Sequence, residues 1–299
     1  TRIEYNSRPW MAETSLFDDG DSFLKSRTGW PSLGVLPWFD GAWKLPAEDM
    51  MDIASGGAGP LKIAVPHLPR ISNFDDLDPL SAEPGVSVHI IAPGHPLPGD
   101  AALVLIPGSK STISDLAFFR AQGWDIDLAA HVRRGGHVMG ICGGYQMLGC
   151  DIHDPEGLEG PIGSTPGLGH LDVTTTLQAA KHLSVTHATY LPTGDSVEGY
   201  EIHHGQTTGP DCDRAWLQIQ GQPEGAASPS GRVRGCYLHG LFAADGFRRA
   251  FLAELGVHSG LNYDSSVEAT LDALAAHMER HLDIDLLLTL AREPDYSKS

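Results

Sequence analysis

The chain has 299 residues and carries 20 Lys and Arg against 38 Asp and Glu, a formal charge of −18. That balance repels nucleic acid and anionic membranes, and no apolar run reaches the roughly 18 to 20 residues that a membrane span needs, so neither is an expected partner and the chain reads as cytosolic. Four cysteines (Cys142, Cys150, Cys212 and Cys236) lack CxxC spacing and fifteen histidines lack an HExxH pattern, which suggests neither a disulfide scaffold nor a metal site.

In chain order, the opening stretch to Trp38 reads like the end of a domain rather than its start. Within it, SLGVLP from Ser32 to Pro37 predicts a short strand, and GGAGP from Gly56 to Pro60 predicts a hinge and a boundary. LKIAVP (Leu61 to Pro66), VSVHIIAP (Val86 to Pro93) and AALVLIPG (Ala101 to Gly108) are apolar, β-branched runs closed by Pro or Gly, as strands are. Helical spacing follows over Ser111 to Gln122 and Asp127 to Arg134, before HVMGIC predicts another buried strand. Strands alternating with helices imply an α/β fold with a mostly parallel sheet flanked by helices. The second half is β-rich (DVTTTL, THATYL, GYEIHHGQT, RAWLQI, VRGCYLHG), and Ser265 to Leu290 shows the spacing of C-terminal helices. Three segments result: 1–57, a main domain over 58–262, and a helical segment over 263–299.

The chemistry centres on HVMGICGGYQMLG, His137 to Gly149, where an apolar strand runs into Gly-Ile-Cys-Gly-Gly and then into helix formers. A thiol on such a strand-to-helix turn is thrust out of the sheet, small neighbours permit the strained backbone, and the helix N-terminus favours thiolate. Cys142 is therefore the candidate nucleophile, against the plainer reading of a buried structural cysteine. Its proton needs a base, and His239, closing the strand VRGCYLHG before Gly240, is the candidate. LVLIPGSKST, Leu103 to Thr112, looks like half a phosphate-binding loop, but Ser109 and Val104 stand where that motif needs glycine. The better use of Gly108 and Ser109 is to aim backbone N–H groups, with that of Gly143, at a developing oxyanion; an ordinary βα loop is the alternative.

PGSKST, GICGGYQMLG, GYEIHHG and GCYLHGLF, in this order and at these intervals, resemble the class I glutamine amidotransferase domain of the cobyric acid synthases, and AVPHLPRISNFDDLDPL, Ala64 to Leu80, is the sharper marker. The resemblance runs from about Leu61 to the end of the chain. It implies that Cys142 attacks glutamine, that His239 is its base, that Gly108, Ser109 and Gly143 build the oxyanion hole, and that Gln146 helps hold substrate, a solvated helix residue being the alternative for Gln146. Many class I members carry Glu two residues after the histidine to orient its ring, whereas this chain has Leu241 there, as the cobyric branch does. Glu201 in GYEIHHG is the candidate orienter, with strand packing or partner recognition as the stronger use of that motif.

The implied partners are glutamine, a corrin (cobyrinic acid diamide) and an ATP-dependent synthetase domain acting in cis or in trans. ATP and Mg²⁺ would serve that domain, with no cofactor in the amidotransferase domain itself. Residues 1–57 would be its remnant and linker, since SLFDDGDSFLKSRTGWPSLGVLPWFDG, Ser15 to Gly41, resembles its final turn, although RPWMAE before it does not, and no P-loop is present. The loop Pro107 to Ser111 is expected to take its working orientation only when that domain docks. Related elbows occur in cobyrinate diamide synthases and in the glutaminase partner of a cell-wall amidotransferase, but PRISNF favours the cobyric branch. A cysteine hydrolase or a non-catalytic binding module on the same sheet is the reading from another class.

Overall fold

A computed structural model of the chain describes residues 17–45 and 55–291. The chain divides into two compact units, one of Thr1–Leu45 with Ser265–Ser299 and one of Pro46–Asp264. The first and last segments, separate in the sequence reading, thus share a unit. RPWMAE and the residues just before the expected hinge lie outside the described residues.

In the first unit α1 spans Asp18–Thr28 and is closed by Gly29 in the left-handed conformation, whose N–H donates to the Lys25 carbonyl. SLGVLP does not make the expected strand: Gly34 forms a single antiparallel bridge to Leu282. Proline at 31 and 37 brackets the run and supplies no N–H, so a ladder has few donors to extend through. The His277 ring contacts the Pro37 carbonyl at 3.0 Å.

The second unit opens with β1 (Gly56–Gly57), β2 (Leu61–Pro66), β3 (Ile71–Ser72), the short helix α2 (Asp78–Ser81) and β4 (Val86–Ile91). Then come β5 (Leu103–Ile106), β6 (Gly108–Ser109), α3 (Thr112–Ala121), α4 (Trp124–Arg133), β7 (His137–Ile141) and α5 (Gly143–Leu148). β8 (Asp151–Asp154), β9 (Gly163–Pro166) and the long hairpin of β10 (Thr174–Tyr190) and β11 (Asp195–Thr208) lead to β12 (Leu217–Ile219), β13 (Gln222–Glu224), β14 (Ala226–Ala227), β15 (Val233–Cys236), β16 (Leu238–His239) and α6 (Asp245–Glu254). α7 (Tyr263–His281), from Ser265 onward, and α8 (Ile284–Leu290) belong to the first unit.

The main sheet has the order β1-β4-β2-β5-β7-β15-β14. Its five inner strands are parallel, and its two edge strands are antiparallel. Ile63, Val65, Leu105 and Met139 face one apolar cluster with Phe242, Phe247 and Phe251, while Ala64, Val104, Ile106 and Val138 face a second with Leu116, Phe119 and Trp124. Burial on both faces explains why these strands read as continuous apolar runs. The expected hinge is partly sheet: Gly56 and Gly57 pair with Val88 and Ser87, and a Cβ at Gly59 would collide with the backbone of Gly85. Its glycines serve close approach rather than mobility. A second sheet, ordered β13-β12-β10-β11-β16, lays β11 beside β16, which ends at His239. Among the described residues no helix is long and apolar enough to cross a membrane.

One buried cation anchors α6. Arg248 is fully buried; its Nε donates to Glu83 at 2.6 Å, Nη1 to the Phe242 carbonyl at 2.7 Å, and Nη2 to Asp245 at 2.6 Å and the Leu261 carbonyl at 2.9 Å. Arg248→Met strands the Glu83 carboxylate in the core, so a loss of about 3–5 kcal/mol is expected, read as a fall in thermal midpoint. A melt within a degree of the parent would show that the pair contributes little.

Candidate active site

β7 is buried along Val138 to Ile141 and delivers Cys142 at its C-terminal end. There the backbone turns sharply: Cys142 has φ 53 and ψ −111, a conformation rare for a residue with a side chain and worth roughly 1–3 kcal/mol of strain. The turn closes only because its neighbours are small. A Cβ at Gly140 would lie 2.6 Å from the Gly144 carbonyl oxygen, and one at Gly144 would collide with the carbonyl of Ile106. The Cys142 N–H donates to the Cys236 carbonyl at 2.9 Å, its carbonyl receives the Gln146 N–H at 3.1 Å, and its thiol faces the Ile202 carbonyl at 3.4 Å.

His239, at the end of β16, is fully buried. Its Nδ1 lies 2.7 Å from Asp76 Oδ2, and the other oxygen of Asp76 accepts the Gly240 N–H at 2.7 Å. This contact assigns the tautomer: Nδ1–H donates to the carboxylate, leaving Nε2 to exchange a proton. Nε2 is buried and has no hydrogen-bond partner among the described residues. Burial pulls the imidazole pKa down, but the charge and hydrogen bond of Asp76, and then Cys142, outweigh it and push it up to about 10. The pair is therefore built to hold an imidazolium beside the thiol, even though no Sγ–Nε2 hydrogen bond is formed.

Asp76 is the orienter that sequence reasoning missed. It sits in a one-turn helix, Phe74–Leu77, entered through Asn73 in the left-handed conformation, inside the very run that marks the resemblance. Glu201 does not take this role. It pairs across the ladder with Leu238, one residue short of His239, and its carboxylate lies 3.9 Å from His203 Nε2 and 3.5 Å from the Thr186 hydroxyl.

The two glycines and the serine proposed for an oxyanion hole do meet. A Cβ at Gly143 would fall 2.9 Å from the Ser109 nitrogen, and one at Gly108 would fall 3.3 Å from His239 Cε1. The loop is tied by its own chain: β6 pairs with β3, the Lys110 N–H donates to the Arg70 carbonyl at 2.8 Å, and the Ser109 hydroxyl donates to Asp115 at 2.7 Å. Asp115 is fully buried, which raises its pKa against the opposing bonds from Ser109 and the Arg70 N–H. The expected dependence of this loop on a docked domain thus meets a loop with several intramolecular restraints.

Gln146 is not the solvated residue of the alternative reading; it is buried with its amide engaged. Its Oε1 accepts from the Thr112 hydroxyl at 2.8 Å, and its Nε2 donates to the His204 carbonyl at 2.9 Å and the Tyr237 hydroxyl at 3.3 Å. That arrangement bolts α5 to β11 and to the start of α3. Beside β11 opens a cavity of about 490 Å³, lined by Glu201, His203, Thr207, Glu224 and Tyr237 among others, roomy enough for an amino acid.

The chain has clear relatives among known proteins. The chain is 62% identical over 282 residues to the cobyric acid synthase of Ruegeria sp. (strain TM1040), covering 94% of this chain and 58% of that protein. It is 60% identical over 285 residues to the cobyric acid synthase of Paracoccus denitrificans (strain Pd 1222), covering 95% of this chain and 59% of that protein. The chain therefore spans less than two thirds of the length of these curated relatives. Among solved structures, PurLQS from Thermotoga maritima superposes with a TM-score of 0.47 at 18% identity, over 71% of this chain and 99% of that one, too low a score to add to the assignment. The sequence profile of the CobB/CobQ-like glutamine amidotransferase domain matches residues 62–247, more than half of the chain, and the chain belongs to that family.

Proposed function

We propose that this chain hydrolyses glutamine through a thioester on Cys142 and supplies the ammonia to cobyric acid synthesis. The observation that carries the reading is the buried His239, fixed by Asp76 on one nitrogen and left open on the other beside the thiol. Sγ, its proton passed to Nε2, attacks the carboxamide carbon, and the oxygen gathers charge toward the N–H groups of Gly143 and Ser109. Collapse breaks the C–N bond as His239 returns the proton to the departing ammonia. Water, deprotonated by the same imidazole, then cleaves the thioester to glutamate and restores the thiol. Gln146 acts here by holding α5 and β11 in place.

The ammonia would pass to an ATP- and Mg²⁺-dependent synthetase portion, in cis or in trans, that activates carboxylates of a cobyrinic acid diamide. The names of the relatives and the length they carry beyond this chain support that partner. A reduced, reactive Cys142 suits a cytosolic setting.

The test is glutamate release from glutamine by the purified chain, with and without a synthetase portion supplied, together with mass-spectrometric mapping of a glutamine-like chloroketone. Release and labelling at Cys142 are expected. Neither outcome under any of these conditions would leave a binding module on the same sheet.

A further inference from the structure

We propose that Tyr200, on β11, is the positioning residue that locks the Asp76–His239 pair in its working geometry. The inference rests on the glutaminase reading above and concerns the part of GYEIHHG that this reading leaves unused. Tyr200 is the ladder partner of His239, and its ring stacks on the imidazole with centroids 5.1 Å apart and planes 18° from parallel. Its hydroxyl accepts from Asn73 Nδ2 at 2.8 Å and donates to Asp75 Oδ2 at 3.3 Å. Those two residues belong to the turn that presents Asp76, and the Asn73 carbonyl itself accepts the Asp76 N–H at 3.3 Å. One side chain thus covers the face of the base and clasps the turn that carries its orienter. A tyrosine serving only to fill space would not need both polar partners from that turn.

The location explains the fine structure of the strand. A Cβ at Gly199 would collide with the His239 carbonyl, so glycine there lets β11 come close enough for the neighbouring ring to stack. Asn73 holds φ 54, an unfavourable choice for a side-chain-bearing residue, and the bond to Tyr200 helps retain it. The titratable groups facing His239 are Asp76 and Asp75 from the turn, Cys142 from the elbow and Tyr200 from β11. Burial and the adjacent Asp76 push the Asp75 carboxyl up, and the donated Tyr200 hydroxyl opposes this.

Two variants separate the clasp from the stack: Tyr200→Phe keeps the ring and loses the hydroxyl, and Tyr200→Leu loses both. The rate of Cys142 alkylation by iodoacetamide is measured against pH in the whole chain, beside kcat and KM for glutamine. A loosened Asp76 supports the imidazolium less, so the upper inflection of the alkylation profile should move down by about half a pH unit or more in Tyr200→Phe. The kcat should fall about 10- to 100-fold with little change in KM, and further in Tyr200→Leu. Unmoved inflections with parental kcat in both variants would overturn the proposal, as would lowered melting temperatures with an unmoved inflection, the mark of packing alone. A parent chain that is alkylated normally but releases no glutamate with or without a synthetase portion would overturn the proposed function instead, and the pH profile would still decide the role of Tyr200.

Discussion

Asp76→Asn should lower kcat for glutamine hydrolysis by on the order of 10³- to 10⁴-fold while the protein stays folded. The carboxylate accepts from both His239 Nδ1 and the Gly240 N–H, each at 2.7 Å, and an amide can satisfy the second while failing the first. If its NH₂ faces the ring, Nδ1 must become the acceptor, which moves the ring proton to Nε2 and leaves the thiol without a base. If its oxygen faces the ring, the tautomer survives but the charge that stabilises the imidazolium is gone. In either case the imidazole pKa falls from about 10, and the alkaline limb of the rate profile moves to lower pH. Steady-state glutamate release from pH 6 to 10 reads both effects, and a kcat within tenfold of the parent would remove Asp76 from the mechanism. Stability carries the same signature. Because the folded pKa of His239 lies above its unfolded value near 6.5, its contribution is complete below pH 6.5 and is lost as pH rises toward 10. Denaturant melts of the parent should weaken over that window, and those of Asp76→Asn should weaken less.

Cys142→Ser should abolish glutamine hydrolysis, a loss on the order of 10⁴-fold or more, because a hydroxyl gives up its proton far less readily than a thiol and is a far weaker nucleophile. Only one atom changes, so the turn at φ 53 and its bonds to Cys236 and Gln146 should persist, and the melting temperature should stay near that of the parent. The residue should also govern labelling by the chloroketone. Cys236 is buried and its thiol is pushed well up by that burial, and burial raises Cys212 as well. Cys150 is exposed and is the competitor to watch. A Cys142→Ser chain that still hydrolyses glutamine, or a parent labelled first at Cys150, would sink the assignment.

The inner strands were legible because burial on both faces leaves a signature that needs no partner to read: Ile63 and Ala64, or Leu105 and Ile106, face opposite clusters and both are apolar. The elbow was legible for a related reason, since Gly140, Gly143 and Gly144 are close-approach glycines that flank a thiol in sequence as well as in space. Asp76 was not. It meets His239 from 163 residues away, and it stands in FDDLD among Asp75 and Asp78, chemically identical neighbours. Only the short helical turn decides that Asp76 faces the imidazole while Asp75 faces Tyr200. DVTTTL and THATYL read as separate strands because QAAK after the first has no strand pattern, yet both fall largely within β10, where β11 pairs on either side of a register shift between Thr176 and Lys181. For Gln146 a solvated helix residue stayed open as the alternative because α5 is too short for its periodicity to show that every position is buried.

The unit that joins residues 17–45 to a segment from Ser265 onward sets an order of events at the ribosome. Residues 17–45 belong with a segment that begins at Ser265, and about 220 residues of the other unit must be translated between Leu45 and Ser265. At roughly 5–20 residues per second, α1 and the turn carrying Gly34 wait on the order of 10 to 45 seconds for the helix whose end meets them at Leu282. During that interval the sheet that holds Cys142 is already complete in sequence and can fold, while Phe23, Leu24 and Trp30, each more than half exposed even in the finished structure, remain open to chaperones. Of these two units, the one that holds Cys142 can therefore close before the one that joins Gly34 to Leu282.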